Sequence, residues 1–277
     1  MRPFVAISHL LLPLLLACGC EASLNVSREP ELVVEAWIEE GKNPVVIVTT
    51  SVTYDELPAD EEALAGHIVR WAKVWMSDGS KTVNLTGVPT DKYFPPYVYT
   101  TSEMRGEAGR NYDLQVEYGN VTATASTTIP ESVPIVDVML KHERDSLYSA
   151  YVVLEKVEEA AFCRFFVRLN DTFWVPSLFG NFVYSSAEDE PDKVLLRRGY
   201  DLDMRDYVSN FISGETVEVK LCTMTEPMYK YWQDFDNNLF YGRTPFFPAK
   251  SNPVSNLLGA VGYFAGYGCS TARFVVP

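Results

Sequence analysis

The sequence predicts a mainly β protein built as two β-sandwich-like units. The N-terminal unit is Ig-like, and the second is a β domain capped by one helix. Three observations carry this expectation. Aromatic residues make up 13% of the chain, with 16 Tyr and 15 Phe. Together with abundant Val and Thr they fit pleated, half-buried surfaces better than helices. Short apolar-alternating runs recur between turn signals, the pattern of a sandwich. One stretch only, near residues 227–240, carries a convincing helical stripe.

In chain order, residues 32–38 place Leu32, Val34, Ala36 and Ile38 on one strand face. A turn at 41–43 leads into a second strand over 45–52, which predicts a hairpin. Residues 53–65 hold Asp55, Glu56, Asp60, Glu61 and Glu62 and match no calcium-loop spacing, so they read as a solvated acidic loop. Residues 67–76 alternate as a strand. Asp78-Gly79 follows, the favoured pair for a tight hairpin, and 81–85 returns. Further strands are expected over 93–99, 111–118 and 121–128. Two prolines within 129–134 mark a crossing, and the boundary is placed near 132.

Beyond it, 135–142, 147–157, 161–169, 173–178, 193–200 and 215–224 are strand-like. Residues 206–211 read as a short helical turn. Pro227 suits a first helical position. Met228, Tyr231, Trp232, Phe235 and Leu239 then share one face, a stripe that reads as core against a sheet. The terminal run 251–267 enters through Asn252-Pro253 and Ser255-Asn256. It carries Gly259, Gly262 and Gly266, too many glycines for a helix, and is expected to close the second unit as a strand. Its glycines fit neither a dinucleotide fingerprint nor a helix start and are read as close strand packing.

The first residues lie outside this fold. Arg2 precedes an apolar stretch from Phe4 to Ala17 that Pro13 interrupts, too short for a membrane span and typical of an export signal. Leu15-Leu16-Ala17-Cys18 resembles a bacterial lipobox. The expected organisation is a signal over 1–17, a lipidated tether over 18–30, the Ig-like unit over 31–131 and the second β unit over 132–277. Cys18 is the expected lipidation site, with acyl chains sufficient for stable anchoring in the membrane. Loss of Arg2 with the signal takes the formal charge from −14 to −15. Nucleic acid is a poor partner for so acidic a chain.

Dedicated chemistry is hard to find. After the signal only His67 and His142 remain, so no histidine metal cluster is expected. No nucleophile elbow, zinc helix or phosphate loop occurs. No cofactor and no catalytic residue are expected. Asp201, Asp203 and Asp206 alternate and could serve a glycosidase, but a capped turn explains them as well. The aromatic groups at 93–99, 173–184 and Phe246-Phe247 read as core, with glycan stacking as the alternative. Cys163, Cys222 and Cys269 read as buried thiols, with a Cys222–Cys269 cross-strand bridge as the alternative.

Several motifs in order resemble one family. These are Leu15-Leu16-Ala17-Cys18, the strand at 31–38, and Gly106-x-x-Gly109-x-x-Tyr112-x-Leu114. Ile129-Pro130 with Val133-Pro134-Ile135, Tyr229-Lys230-Tyr231, and the run from Ser255-Asn256 through Gly259, Gly262 and Phe264 complete the set. Over the whole mature chain the sequence resembles a family of bacterial lipoproteins known as a domain of unknown function, DUF4249. Ala260 stands where a second glycine is common. The resemblance implies an outer-membrane lipoprotein of Gram-negative bacteria, often encoded beside a TonB-dependent transporter, and it carries no catalytic residues over. The expected function is a non-catalytic accessory that binds a glycan, another small ligand or the transporter. A surface glycan-active hydrolase, or a structural, adhesin-like envelope protein, is the alternative.

Overall fold

The computed structural model describes residues 30–52, 65–186, 193–201, 206–241 and 253–277. The architecture is mainly β with one α-helix among these residues. Cys18, the acidic loop at 53–64, Asp203 and Phe246-Phe247 lie outside the described residues.

Seven strands make the first unit: β1 (Leu32–Glu39), β2 (Val45–Thr50), β3 (Lys73–Ser77), β4 (Thr82–Pro89), β5 (Tyr97–Thr100), β6 (Asn111–Tyr118) and β7 (Val121–Thr128). β4 turns the corner between two layers. Its residues 82–85 pair with β3, and its residues 86–89 pair with β5. The β1–β2–β5 layer and the β3–β6–β7 layer thus face each other across one core. Val34, Ala36 and Ile38 of β1 meet Met76, Tyr112, Leu114 and Ala123 there, all essentially fully buried. The Gly106–Leu114 motif has a physical role at the edge of this core. The Tyr112 hydroxyl accepts from the Glu107 N–H (2.8 Å) and donates to the Arg105 carbonyl (3.2 Å), which pins the loop to the strand it precedes, as a tyrosine corner does.

The second unit holds β8 (Ile135–Arg144), β9 (Leu147–Leu154), β10 (Ala161–Leu169), β11 (Val175–Tyr184), β12 (Lys193–Leu196), β13 (Gly199–Asp201), β14 (Asp206–Val208), β15 (Phe211–Ile212) and β16 (Thr216–Met224). Helix α1 (Glu226–Tyr241) and β17 (Val261–Val275) follow. A layer around β9 packs on the β11–β10–β16 layer over Val152, Leu154, Phe165, Val167, Val217 and Val219. α1 lies on the opposite face of that second layer, through Met228 and Trp232.

β17 serves both units. Residues 261–267 run parallel to β1, in register from Val33↔Val261 to Glu39↔Tyr267. Residues 268–275 run antiparallel to β16. One continuous sheet of eleven strands results, β11-β10-β16-β17-β1-β2-β5-β4-β3-β6-β7. The terminal run therefore closes the first unit as well as the second, with Leu257 and Phe264 sitting in the first core. The Asn256 side chain acts as an extra strand residue, accepting from the Phe264 N–H (2.9 Å) and donating to its carbonyl (2.8 Å). The glycines are packing glycines. A Cβ on Gly262, whose φ is +116°, would stand 2.1 Å from the Val34 carbonyl oxygen, and one on Gly266 would stand 2.3 Å from that of Thr128.

Three local expectations are corrected. Residues 206–211 form β14 and the start of β15 instead of a helical turn, because each finds a strand partner, β13 and β9. The strand expected from His67 begins only at Lys73, after a 3-10 turn over Ala65–His67. The strand expected from Tyr93 begins at Tyr97, since Pro95 and Pro96, with a cis Phe94–Pro95 bond, cannot donate to a ladder.

Candidate functional site

Strand alternation gives β1 a second face. Glu35, Trp37 and Glu39 point away from the first core, and Tyr263, Ala265, Tyr267 and Cys269 of β17 lie beside them on the same side of the sheet. Lys220 and Cys222 of β16 and Phe162, Arg164 and Phe166 of β10 extend the row. The helical stripe predicted from the sequence covers much of this face. Trp232 donates its indole N–H to the Tyr267 hydroxyl at 2.9 Å and stacks edge-on against Phe166 and Phe235.

Charges on this face are paired across the fold. Lys220 donates to the Glu39 carboxylate at 2.7 Å, and Lys42 donates to its other oxygen. Burial opposes the Glu39 charge, but Lys220 and Lys42 outweigh it and hold the carboxyl below the usual range. Burial likewise pulls Lys220 down. The neighbouring Cys222 sulfur and Glu39 overcome this and leave its ammonium raised. The Lys220 ammonium also sits over the Trp174 ring (4.9 Å) and the Phe166 ring (5.5 Å). Arg164, fully buried, grips Asp236 of α1 through two hydrogen bonds of 2.9 and 2.8 Å and lies 4.3 Å from the Trp232 ring. These two pairs join β16 to β1 and β10 to α1.

Glu35 breaks the pattern. It stands opposite Tyr263 on β17 and Ile47 on β2, is half-buried, and has no hydrogen bond or ion pair to any described residue. Burial raises its carboxyl above the ordinary value. Burial, and then the Glu35 charge, also raise the hydroxyls of Tyr231 and Tyr263, whose rings lie 4.9 Å apart. A carboxylate with a perturbed titration beside converging aromatic rings is the chemistry of a binding or acid–base site. Sequence reasoning missed Glu35 because an acidic residue on the polar face of an alternating strand reads as solvated.

The predicted candidates fall elsewhere. Asp201 and Asp206 are brought directly opposite each other by the β13–β14 pairing. Of the aromatic groups expected in the core, Tyr99 and Tyr184 are buried, whereas Phe94, Phe173 and Phe179 are more than half exposed. His67 bonds Thr50 and His142 bonds the Asp145 carbonyl, in different units. Among the described residues no three His, Cys, Asp or Glu side chains converge as metal ligands. Two depressions, of about 280 and 610 Å³, lie on the first unit. Their carboxylates are already engaged, Asp113 by Ser126 and Asp78 by Ser80, Lys81 and Arg110.

The fold and this face define a mainly β protein in which two sandwich-like units share one strand beneath a helix-covered seam of rings and paired charges. The chain belongs to the family described as Domain of unknown function (DUF4249), whose model matches residues 20–273. No curated protein matches it.

Proposed function

We propose that this protein is a non-catalytic binding protein of the outer membrane. Lipid on Cys18 anchors it, and it serves as an accessory to a TonB-dependent transporter. The Glu35 face takes a glycan or another small ligand that offers hydroxyl or amine donors. The observation that carries the binding reading is Glu35. Every other charge described on that face is partnered, whereas this carboxylate has no partner among the described residues, burial raises it, and its charge is felt by the Tyr231 and Tyr263 hydroxyls. A ligand donor would relieve that cost. Anchoring is supported by Leu15-Leu16-Ala17-Cys18 after the apolar stretch.

The test is retention on a glycan array, with and without Glu35→Gln. Retention by the wild type that is lost in a stably folded Glu35→Gln variant is expected. Equal retention by both would remove Glu35 from the site. Cys18→Ala should leave an unacylated precursor that no longer sediments with membranes; normal processing and sedimentation would end the anchoring reading. Co-purification of a transporter in mild detergent is expected, and repeated recovery of the protein alone would refute the accessory role.

The backbone pairing of Asp201 with Asp206 motivates hydrolysis as the second reading, since a glycosidase works with two acidic residues. Turnover of a glycan abolished by Asp201→Asn or Asp206→Asn would establish it in place of the first.

A further inference from the structure

The geometry points to a disulfide between Cys222 and Cys269, a covalent staple across the β16–β17 ladder on the helix-covered face. The two residues are directly opposed in antiparallel register. Their sulfurs are 2.9 Å apart, inside the separation of two unbonded sulfur atoms in contact. Directly opposed strand residues have Cβ atoms about 4.5–5.5 Å apart, close to the spacing a disulfide spans, so bridging needs little backbone movement. Cys163 is excluded as partner to either. It points to the other side of the sheet, in the second core, where burial pushes its thiol up to about 12.

The surroundings set the order of attack. Cys222 is almost wholly buried, whereas Cys269 keeps partial exposure, so Cys269 is the sulfur a reagent reaches first. The contact with the Cys222 sulfur, and then burial, hold the Cys269 thiol well above its ordinary value, and the Lys220 ammonium on the same strand face offsets this only in part, so exchange at this pair is slow. The oxidant is a small or protein disulfide. Cys269 gives up its proton and attacks one sulfur of the oxidant, releasing the first oxidant thiol. Cys222 gives up its proton and attacks the sulfur of Cys269, releasing the second. Two electrons and two protons leave with the two oxidant thiols, and one S–S bond replaces another.

The staple sits where β17 has just left β1 and joined β16. It locks the crossover between the units and does not depend on the ligand reading of Glu35. The test is peptide mapping of the full chain, refolded in a glutathione redox buffer, quenched in acid, alkylated with a maleimide in denaturant and digested with trypsin without reduction. The expected result is one linked pair, residues 221–230 joined to 251–273. It should be lost on reduction, with the maleimide on Cys163 in peptide 157–164. Maleimide on both Cys222 and Cys269 in separate peptides would overturn the proposal, as would either cysteine linked to Cys163, to Cys20 or to glutathione alone.

Discussion

The two faces of β1 show two ways of holding a protein together. Leu32, Val34, Ala36 and Ile38 face a core of aliphatic and aromatic neighbours and are almost wholly buried. Glu35, Trp37 and Glu39, one residue out of phase, face a seam of rings and paired charges under α1. The first face is non-directional: any side chains of the right volume would fill it. The second is directional. Lys220 and Glu39 lie 181 residues apart, and their meeting requires β16, β17 and β1 to take one mutual register. The apolar face supplies most of the stabilisation, and the polar face decides which strands become neighbours. Glu35, on the polar face yet without a partner among the described residues, is a position where burial works against a charge.

The sharpest way to break this comparison is through the backbone that lets the two faces coexist. Gly262→Val places side-chain atoms against the Val34 carbonyl at a positive φ. A loss above about 4 kcal/mol is expected in denaturant unfolding, among the largest single-residue effects. A midpoint within error of wild type would mean that β17 does not pack on β1 as described.

Glu39→Ala comes next. It leaves Lys220 buried without its carboxylate, and about 3–5 kcal/mol should be lost. The double replacement Glu39→Leu, Lys220→Met should recover much of that, which would identify the pair as a register device. The pH dependence follows from the signs. The Glu39 carboxyl is depressed in the fold, so its contribution is present above the ordinary glutamate value and lost as pH falls through the lower folded value. Lys220 is raised, so its contribution is present below the ordinary lysine value and lost only as pH climbs through the higher folded one. Unfolding followed from pH 7 downward should show wild type losing the advantage it holds over Glu39→Gln.

The Cys222–Cys269 staple is expected to contribute about 2–4 kcal/mol, read as the shift in unfolding midpoint on adding a reductant that leaves the Cys222→Ala, Cys269→Ala protein unaffected. The smallest effect has the opposite sign. Glu35→Gln removes a half-buried charge that no described residue partners and should raise the thermal midpoint at neutral pH, with the gain vanishing as pH falls through the raised carboxyl value. A lowered midpoint would place Glu35 among the structural charges with Glu39.

Much of the fold was legible in the sequence because it is local. The alternation of residues 32–38, the Asp78-Gly79 turn and the Met228–Trp232–Phe235 stripe each carry their own signal. The structure supplies the reason for the turn: the Asp78 carboxylate accepts from the N–H groups of Ser80 and Lys81 (both 2.9 Å). Strand register between distant segments carries no such signal. Nothing near Lys220 names Glu39, and nothing in 251–267 says that its first half will lie along β1. Residues 206–211 failed for the same reason. Their local preference was weak, and pairing with β13 and β9 decided their shape. The candidate site suffered most, because whether a carboxylate has a partner depends on strands far away in sequence.

The parallel ladder between β1 and β17 also governs how this protein can be made. It joins segments roughly 230 residues apart, and contacts of such long range form late and slowly. Until Val261–Val275 arrives, β1 stands at the edge of an otherwise complete first sandwich, with its ladder groups unpaired toward the missing strand. An open edge of that kind templates pairing between chains. The nascent protein should therefore be most prone to aggregation after its first unit has formed and before its last strand has docked, and truncation before residue 261 should yield aggregates instead of a smaller soluble domain.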